Sequence, residues 1–193
     1  MRMDQFEALK AICTARHSVR EFSDRPVPDD AVDRILEIAK TSPYAGGSKS
    51  WRLLVVRDKA LIREAARLVR RRVEELGTGM RPAFRAEFAE YARSFSVFER
   101  APLLLVPTFR AVPALSLMLA EPEENIVRME NESFVKSISC VAMLILLAAQ
   151  SLGLGSCYMT GPLVAESAMA KLFQVSSGHR IAAILPLGYG KEG

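Results

Sequence analysis

The chain is poor in the residues that build metal and disulfide sites. It has 3 cysteines and 2 histidines in 193 residues. Cys13, Cys140 and Cys157 are odd in number, widely spaced and form no C-x-x-C pair, which excludes a disulfide framework. His17 and His179 are too few imidazoles for a zinc or iron centre. The cysteines are expected to be buried, reduced thiols of a cytoplasmic protein. Charge of one sign is also lacking: 26 basic residues face 22 acidic ones, for a net +4. So small an excess suits an anionic cofactor and argues against a nucleic-acid partner. Arg63, Arg67, Arg70, Arg71 and Arg72 fall in one helical stretch and are expected to form a solvated face. The N-terminus, Met1-Arg2-Met3-Asp4-Gln5-Phe6-Glu7, has acidic residues and no apolar core, so it is not a signal peptide. The greasiest run, Val141 to Ala149, is well short of the ~20 apolar residues of a membrane span. It is flanked by Ser137, Ser139, Gln150 and Ser151, so it reads as a core helix and no membrane partner is expected. No internal repeat, linker or low-complexity tract is present.

What the chain does have is apolar residues, at 50% of the total. That suffices for one domain over 1–193 with a full core. Phe6, Leu9, Ile12 and Cys13 recur at helical spacing, predicting a helix over 4–15. Pro26 and Pro28 break the backbone. Asp29 or Asp30 can then cap a helix that buries Val32, Ile35, Leu36 and Ala39. Residues 42–50 read as a loop and 53–56 as a strand. Leu61 through Leu76 mark a helix that Gly77 is expected to close. A helix around 84–91 and a buried strand over 103–106 follow. Residues 111–131 lack a clear period and are a candidate lid or dimer arm. A long helix over 133–152, apolar on most sides, ends at Gly153. An extended piece at 156–159, a helix over 164–173 and a strand over 180–187 complete the chain. Helices outnumber strands and do not alternate with them singly, which argues α+β over a doubly wound sheet.

Two segments carry the candidate chemistry. Arg16-His17-Ser18-Val19-Arg20 follows a helix and places two guanidinium forks and a hydroxyl together, a donor set that matches phosphate oxygens. The alternative is a surface salt-bridge patch. Gly153-Leu154-Gly155 is not a dinucleotide fingerprint. Tyr158 stands where a third glycine is needed, and a helix precedes the glycines in place of a strand. The segment that follows, Cys157-Tyr158-Met159-Thr160-Gly161-Pro162, can present backbone N–H groups to one side. A reduced flavin needs such donors near its ring, supplied by protein in place of water. No Ser-His-Asp or paired-carboxylate arrangement is evident, and no acid–base residue is assigned.

Residues 16–22, 42–51, 153–161 and 185–189 resemble, in order and spacing, the nitroreductase family of FMN-dependent oxidoreductases. The resemblance implies a nitroreductase-like α+β fold: a central, mostly antiparallel mixed sheet flanked by helices, in an intertwined homodimer with FMN at the interface. It implies that Arg16, His17, Ser18 and Arg20 hold the FMN phosphate, and that Met159, Thr160 and Gly161 lie against the isoalloxazine. The loop Pro43-Tyr44-Ala45-Gly46-Gly47-Ser48-Lys49-Ser50-Trp51 would come from the partner subunit. Here Gly47, Lys49 and Ser50 stand where asparagine, glutamine and proline are usual, and Tyr44 replaces a small residue. Lys191 is the basic residue past Tyr189 that would reach the phosphate. The implied activity is NAD(P)H-dependent reduction of a small-molecule acceptor, nitroaromatic or quinone-like, by a ping-pong transfer through flavin N5. Relatives with other flavin tasks (enoate reduction, dehalogenation, flavin cleavage) and a non-catalytic flavin-binding protein are the alternatives.

Overall fold

The computed structural model describes residues 4–45 and 50–191. The helices are α1 (Gln5–Ala15), α2 (Asp29–Ala39), α3 (Lys59–Gly79), α4 (Arg85–Ala92), α5 (Leu115–Met118), α6 (Glu124–Ser151) and α7 (Glu166–Leu172). Short 3-10 segments occupy Pro82–Phe84, Arg93–Arg100 and Gly161–Ala165. The strands are β1 (Trp51–Val56), β2 (Leu103–Phe109), β3 (Gly155–Ser156), β4 (Arg180–Ile181) and β5 (Leu185–Gly188). They form one sheet in the order β1-β2-β5-β3, with β4 also on β2. Every strand pair is antiparallel, and a single parallel bridge joins Ser18 to Ser156.

β2 explains the layering. All seven of its residues are buried, and successive side chains point to opposite faces. Leu104 and Val106 join a cluster with Ile62, Ala65, Ala66 and Val69 of α3. Leu103, Leu105 and Phe109 join a cluster with Ile35 of α2 and Ile138, Val141 and Ile145 of α6. The sheet is thus sandwiched between α3 on one side and α2 with α6 on the other. Each fully buried leucine contributes roughly 1.5–3 kcal/mol, so β2 anchors the whole arrangement.

Several expectations need correction. α3 does not close at Gly77 but runs to Gly79. Gly77 does not adopt a left-handed conformation, which among the described residues is confined to Gly153, Gln174 and Gly178. Gly153 (φ 72°) does end α6. Leu154 N–H donates to Ala149 C=O at 2.9 Å and Gly153 N–H to Gln150 C=O at 3.0 Å, the paired bonds of a glycine cap. α6 begins at Glu124, nine residues before the expected start at 133, inside the stretch read as a lid or arm. Its inner face packs on the sheet, while Val127, Met129, Val135 and Met143 are exposed. By length and composition it is the one described helix that meets the criteria of a membrane span. The rest of the 111–131 stretch holds α5, pinned to α6 by Glu130. That carboxylate accepts the N–H groups of Ala114 (2.7 Å), Leu115 (2.7 Å) and Ser116 (2.9 Å). The expected strand over 180–187 is split in two. Ile181 pairs Thr108 and Leu185 pairs Leu105, so four steps on one strand face three on the other. That one-residue bulge sits opposite Pro107, which has no N–H to give a regular ladder. Pro28, not Asp29 or Asp30, is the cap of α2, with both aspartates in its first turn. Cys13 and Cys140 are exposed, and Cys157 alone is buried.

Candidate functional site

The Arg16–Arg20 segment is laid against the sheet as if it were one more strand. Val19 N–H donates to Ser156 C=O at 3.0 Å, Ser23 N–H to Tyr189 C=O at 2.8 Å, and Lys191 N–H to Glu21 C=O at 3.2 Å. Phe22 bridges to Gly190. The approach is close enough to require glycine: a Cβ on Gly155 would stand 2.8 Å from Val19 Cγ2. Three stretches far apart in sequence, 16–23, 155–156 and 189–191, are thereby fixed side by side. Arg16 caps the end of α1. His17 is exposed, with Nδ1 3.0 Å from Ala15 C=O. Among the described residues, the side chains of Arg16, Ser18 and Arg20 make no hydrogen bond or ion pair. The neighbouring carboxylate, Glu21, is held by Arg100 and so does not neutralise them. Free donors in a cluster fixed by its backbone fit a phosphate.

Next to this segment lies the turn after β3. Met159 is buried, and both its backbone groups are committed to Ile184: Met159 N–H donates at 3.1 Å and its C=O accepts at 2.9 Å. Met159 therefore anchors the turn and cannot itself donate an N–H to a ring. The N–H groups of the next two residues, Thr160 and Gly161, have no partner among the described residues, and Thr160 is exposed. They are the donors free to face a bound ring.

The described residues of the 43–51 stretch, 43–45 and 50–51, lie elsewhere. Pro43 is exposed, Tyr44 and Ala45 are half-buried, and Ala45 N–H donates to Ser137 Oγ at 3.0 Å. Gly47 and Lys49 lie outside the described residues. The Tyr44 hydroxyl is buried with no hydrogen-bond partner among the described residues. Desolvation raises its pKa, opposed by Ser50 beside it, whose own proton is committed to Arg110 C=O at 2.8 Å. Trp51 Nε1 is likewise buried and unpartnered. The sheet register separates Trp51 from the Arg16–Arg20 segment of the same chain. Ser18 lies in the row Ser156–Leu187–Leu103, and Trp51 in the row Phe109–Arg180. The rows are six residues apart along β2, about 20 Å, and the two residues are four strand spacings apart across the sheet, about 19 Å.

Comparison with known proteins decides the family. A profile described as the nitroreductase family matches residues 13–189. The chain belongs to the nitroreductase family. A protein of Archaeoglobus fulgidus with the provisional name NADH dehydrogenase/NAD(P)H nitroreductase is 26% identical over 96% of this chain and 87% of its own length. An iodotyrosine deiodinase of Hydra vulgaris is 29% identical over 91% of this chain and 62% of its own length. In fold, the chain is similar to a BluB-like flavoprotein of Clostridium difficile 630, with a TM-score of 0.84, 19% identity, and coverage of 100% of this chain and 92% of that one. It is also similar to a nitroreductase with bound FMN from Desulfitobacterium hafniense, with a TM-score of 0.75, 18% identity and the same coverage.

One feature of this nitroreductase-family chain escaped the sequence reading. A Cβ on Gly161 would lie 2.4 Å from Phe95 Cδ1, so that ring is pressed on the turn carrying the free N–H groups. The signal lay in the aromatic spacing. Phe84, Phe88, Tyr91, Phe95 and Phe98 recur at steps of four and three, one face of a helix.

Proposed function

We propose that the chain is an FMN-dependent oxidoreductase that draws electrons from NADH or NADPH and reduces nitroaromatic or quinone-like acceptors. The observation that carries this reading is the cluster of unpartnered donors at Arg16, Ser18 and Arg20, fixed beside the free N–H groups of Thr160 and Gly161. Arg16 and Arg20 would hold the phosphate by paired, charge-assisted bonds, with Ser18 adding a hydroxyl and Lys191 a second cation from the neighbouring segment. Thr160 and Gly161 would donate to the ring. Once bound, FMN supplies two-electron storage, taking a hydride from a nicotinamide and delivering electrons to a second substrate in a separate encounter. The protein's own part is to position the ring and stabilise negative charge on it.

A homodimer belongs to the same proposal. The register puts Ser18 and Trp51 of one chain roughly 28 Å apart. That separation supports the reading that the stretch over 43–51 reaches the flavin from a second copy. The protomer exposes 11674 Å², against about 9,100 Å² for a compact monomer of its mass, 21.3 kDa. Phe6, Leu9, Leu117, Met118, Val135 and Met143 are among the exposed apolar residues that a second copy would cover. The interface should exceed ~2,000 Å², giving a dimer by sedimentation at low micromolar concentration.

Reductive dehalogenation of a phenol ring is the second reading, favoured by the similarity to iodotyrosine deiodinase. The test is anaerobic mixing of the FMN-loaded protein with NADH or NADPH, followed by an acceptor panel of nitrobenzene, menadione and 3-iodo-tyrosine. Rapid bleaching and reoxidation by nitrobenzene or menadione support the main reading. Reoxidation by 3-iodo-tyrosine alone supports the second. A protein that binds FMN but is not bleached is a flavin carrier and not an oxidoreductase.

A further inference from the structure

A groove of about 460 Å³ lies between α3 and the segment over 85–96 that folds back on it. Its floor is Val69 and Ala92, both buried, and its sides are Val73 and Phe88, both half-buried. Val69, Val73 and Gly77 follow at four-residue steps, so they share one face of α3. Val69 to Gly77 is about 12 Å of helix. The volume lies in the usual range for small-molecule pockets, about 300–1,000 Å³.

Gly77 is the member of this stripe that packing does not explain. It lies inside α3 without a left-handed conformation, and a Cβ there would meet no atom within 4 Å. Neither a turn nor a close contact within the chain asks for glycine, which is unfavourable in a helix. What glycine does allow is the close approach of another molecule to the backbone. The charges at the rim define that molecule. Arg70 is held by Glu99 at 2.6 Å and Arg93 by Glu90 at 2.9 Å. Glu74 stands four residues after Arg70, on the same side of α3. Arg85 is different. Its Nε donates to Met80 C=O at 3.1 Å, and Met80 N–H donates in turn to Gly77 C=O at 3.2 Å. The guanidinium is thereby seated at the Gly77 end of the groove. Its two Nη groups have no partner among the described residues.

We propose that this groove binds an aliphatic monocarboxylate. An unbranched chain of roughly ten carbons matches the 12 Å of helix; it lies along Val73, Phe88 and Ala92 and passes over Gly77. The carboxylate is taken by the two Nη groups of Arg85 in a paired, charge-assisted contact. The site shares no residue with the Arg16–Arg20 cluster or the Thr160–Gly161 turn, and it does not rest on the flavin reading.

The test titrates the purified protein by calorimetry with decanoate and with 1-decanol, each below the concentration at which it aggregates. The wild type should bind one decanoate per chain, about tenfold more tightly than 1-decanol. Arg85→Gln should lose that preference and bind the two about equally. Gly77→Leu, whose side chain would fill the head end of the groove, should bind decanoate at least tenfold more weakly. It should melt no lower than the wild type, since leucine is the better helix former. Absence of saturable decanoate binding overturns the proposal, as does a preference for decanoate that survives in Arg85→Gln. Undiminished binding by Gly77→Leu would place the ligand elsewhere and overturn it too. So would a lower melting temperature in that variant, which would mean that Gly77 serves the fold.

Discussion

Arg67, Arg70, Arg71 and Arg72 of α3 each have a carboxylate within 3.2 Å, from Glu64, Glu99 or Glu75. Arg16 and Arg20 have none among the described residues, although Glu21 is adjacent in sequence and Arg100 takes it. The two groups carry the same charge, and all but the half-buried Arg16 are exposed. They differ in whether that charge is already satisfied. A guanidinium held by a carboxylate must be released before it can grip an anion. An unpartnered one, seated by backbone pairing, begins in place and pays less to bind. Count of arginines therefore says little about where a phosphate goes, and local pairing says much.

The largest expected effect concerns the phosphate itself. Two charge-assisted bonds at about 1.5–3 kcal/mol each imply that riboflavin binds the wild type at least a hundredfold more weakly than FMN, measured by quenching of flavin fluorescence. Equal affinity would break the comparison, because then neither arginine group recognises phosphate. Next in size is Gly155→Ala. Its Cβ would meet Val19 at 2.8 Å, and overpacking of this kind costs about 1–3 kcal/mol. The thermal midpoint should fall, and FMN affinity should fall with it. If stability drops and FMN affinity does not, the seating of the Arg16–Arg20 segment does not matter to the ligand.

These effects separate what local sequence carries from what it does not. The glycine cap at Gly153 is a short-range feature, and it was legible from the residues. The helical faces of α2 and α3 were legible for the same reason. Long-range pairing was not. Nothing local tells that Glu21 is held by Arg100, that Met159 spends both backbone groups on Ile184, or that Pro107 forces a bulge that splits the last strand. The N-terminal part of α6 was missed because Glu124 to Glu132 is polar and lacks an apolar period, while Glu130 earns its place by capturing α5. Gly77 misled because a glycine in a helix end is a stop signal only when it turns left-handed.

Smaller effects sharpen the other side of the comparison. Arg71→Ala and Arg72→Ala should leave FMN affinity within about twofold of the wild type, since exposed paired arginines contribute little. A tenfold loss would move the phosphate site to α3. Glu130 belongs with the satisfied charges. Its carboxyl is lowered from 4.5 to about 2 by the Ser116 hydroxyl and amide and by the amides of Ala114 and Leu115. A folded value below the unfolded one gives stabilisation that is full above about pH 5 and is lost as pH falls toward 2. Glu130→Gln should therefore be less stable than the wild type at pH 7, with the gap closing as pH approaches 2 and FMN affinity at pH 7 unchanged. A gap that persists undiminished at pH 2 would show that the carboxylate charge is not what holds α5.

The central claim is that Arg16 recognises the phosphate and nothing else of the cofactor. The most direct measurement is a crossed titration of wild type and Arg16→Ala with FMN and with riboflavin, at fixed salt. Loss of one charge-assisted bond should lower FMN affinity by about ten- to a hundredfold and leave riboflavin affinity unchanged, with the far-ultraviolet spectrum of the variant intact. Equal losses for both ligands, or no loss for either, would contradict the claim.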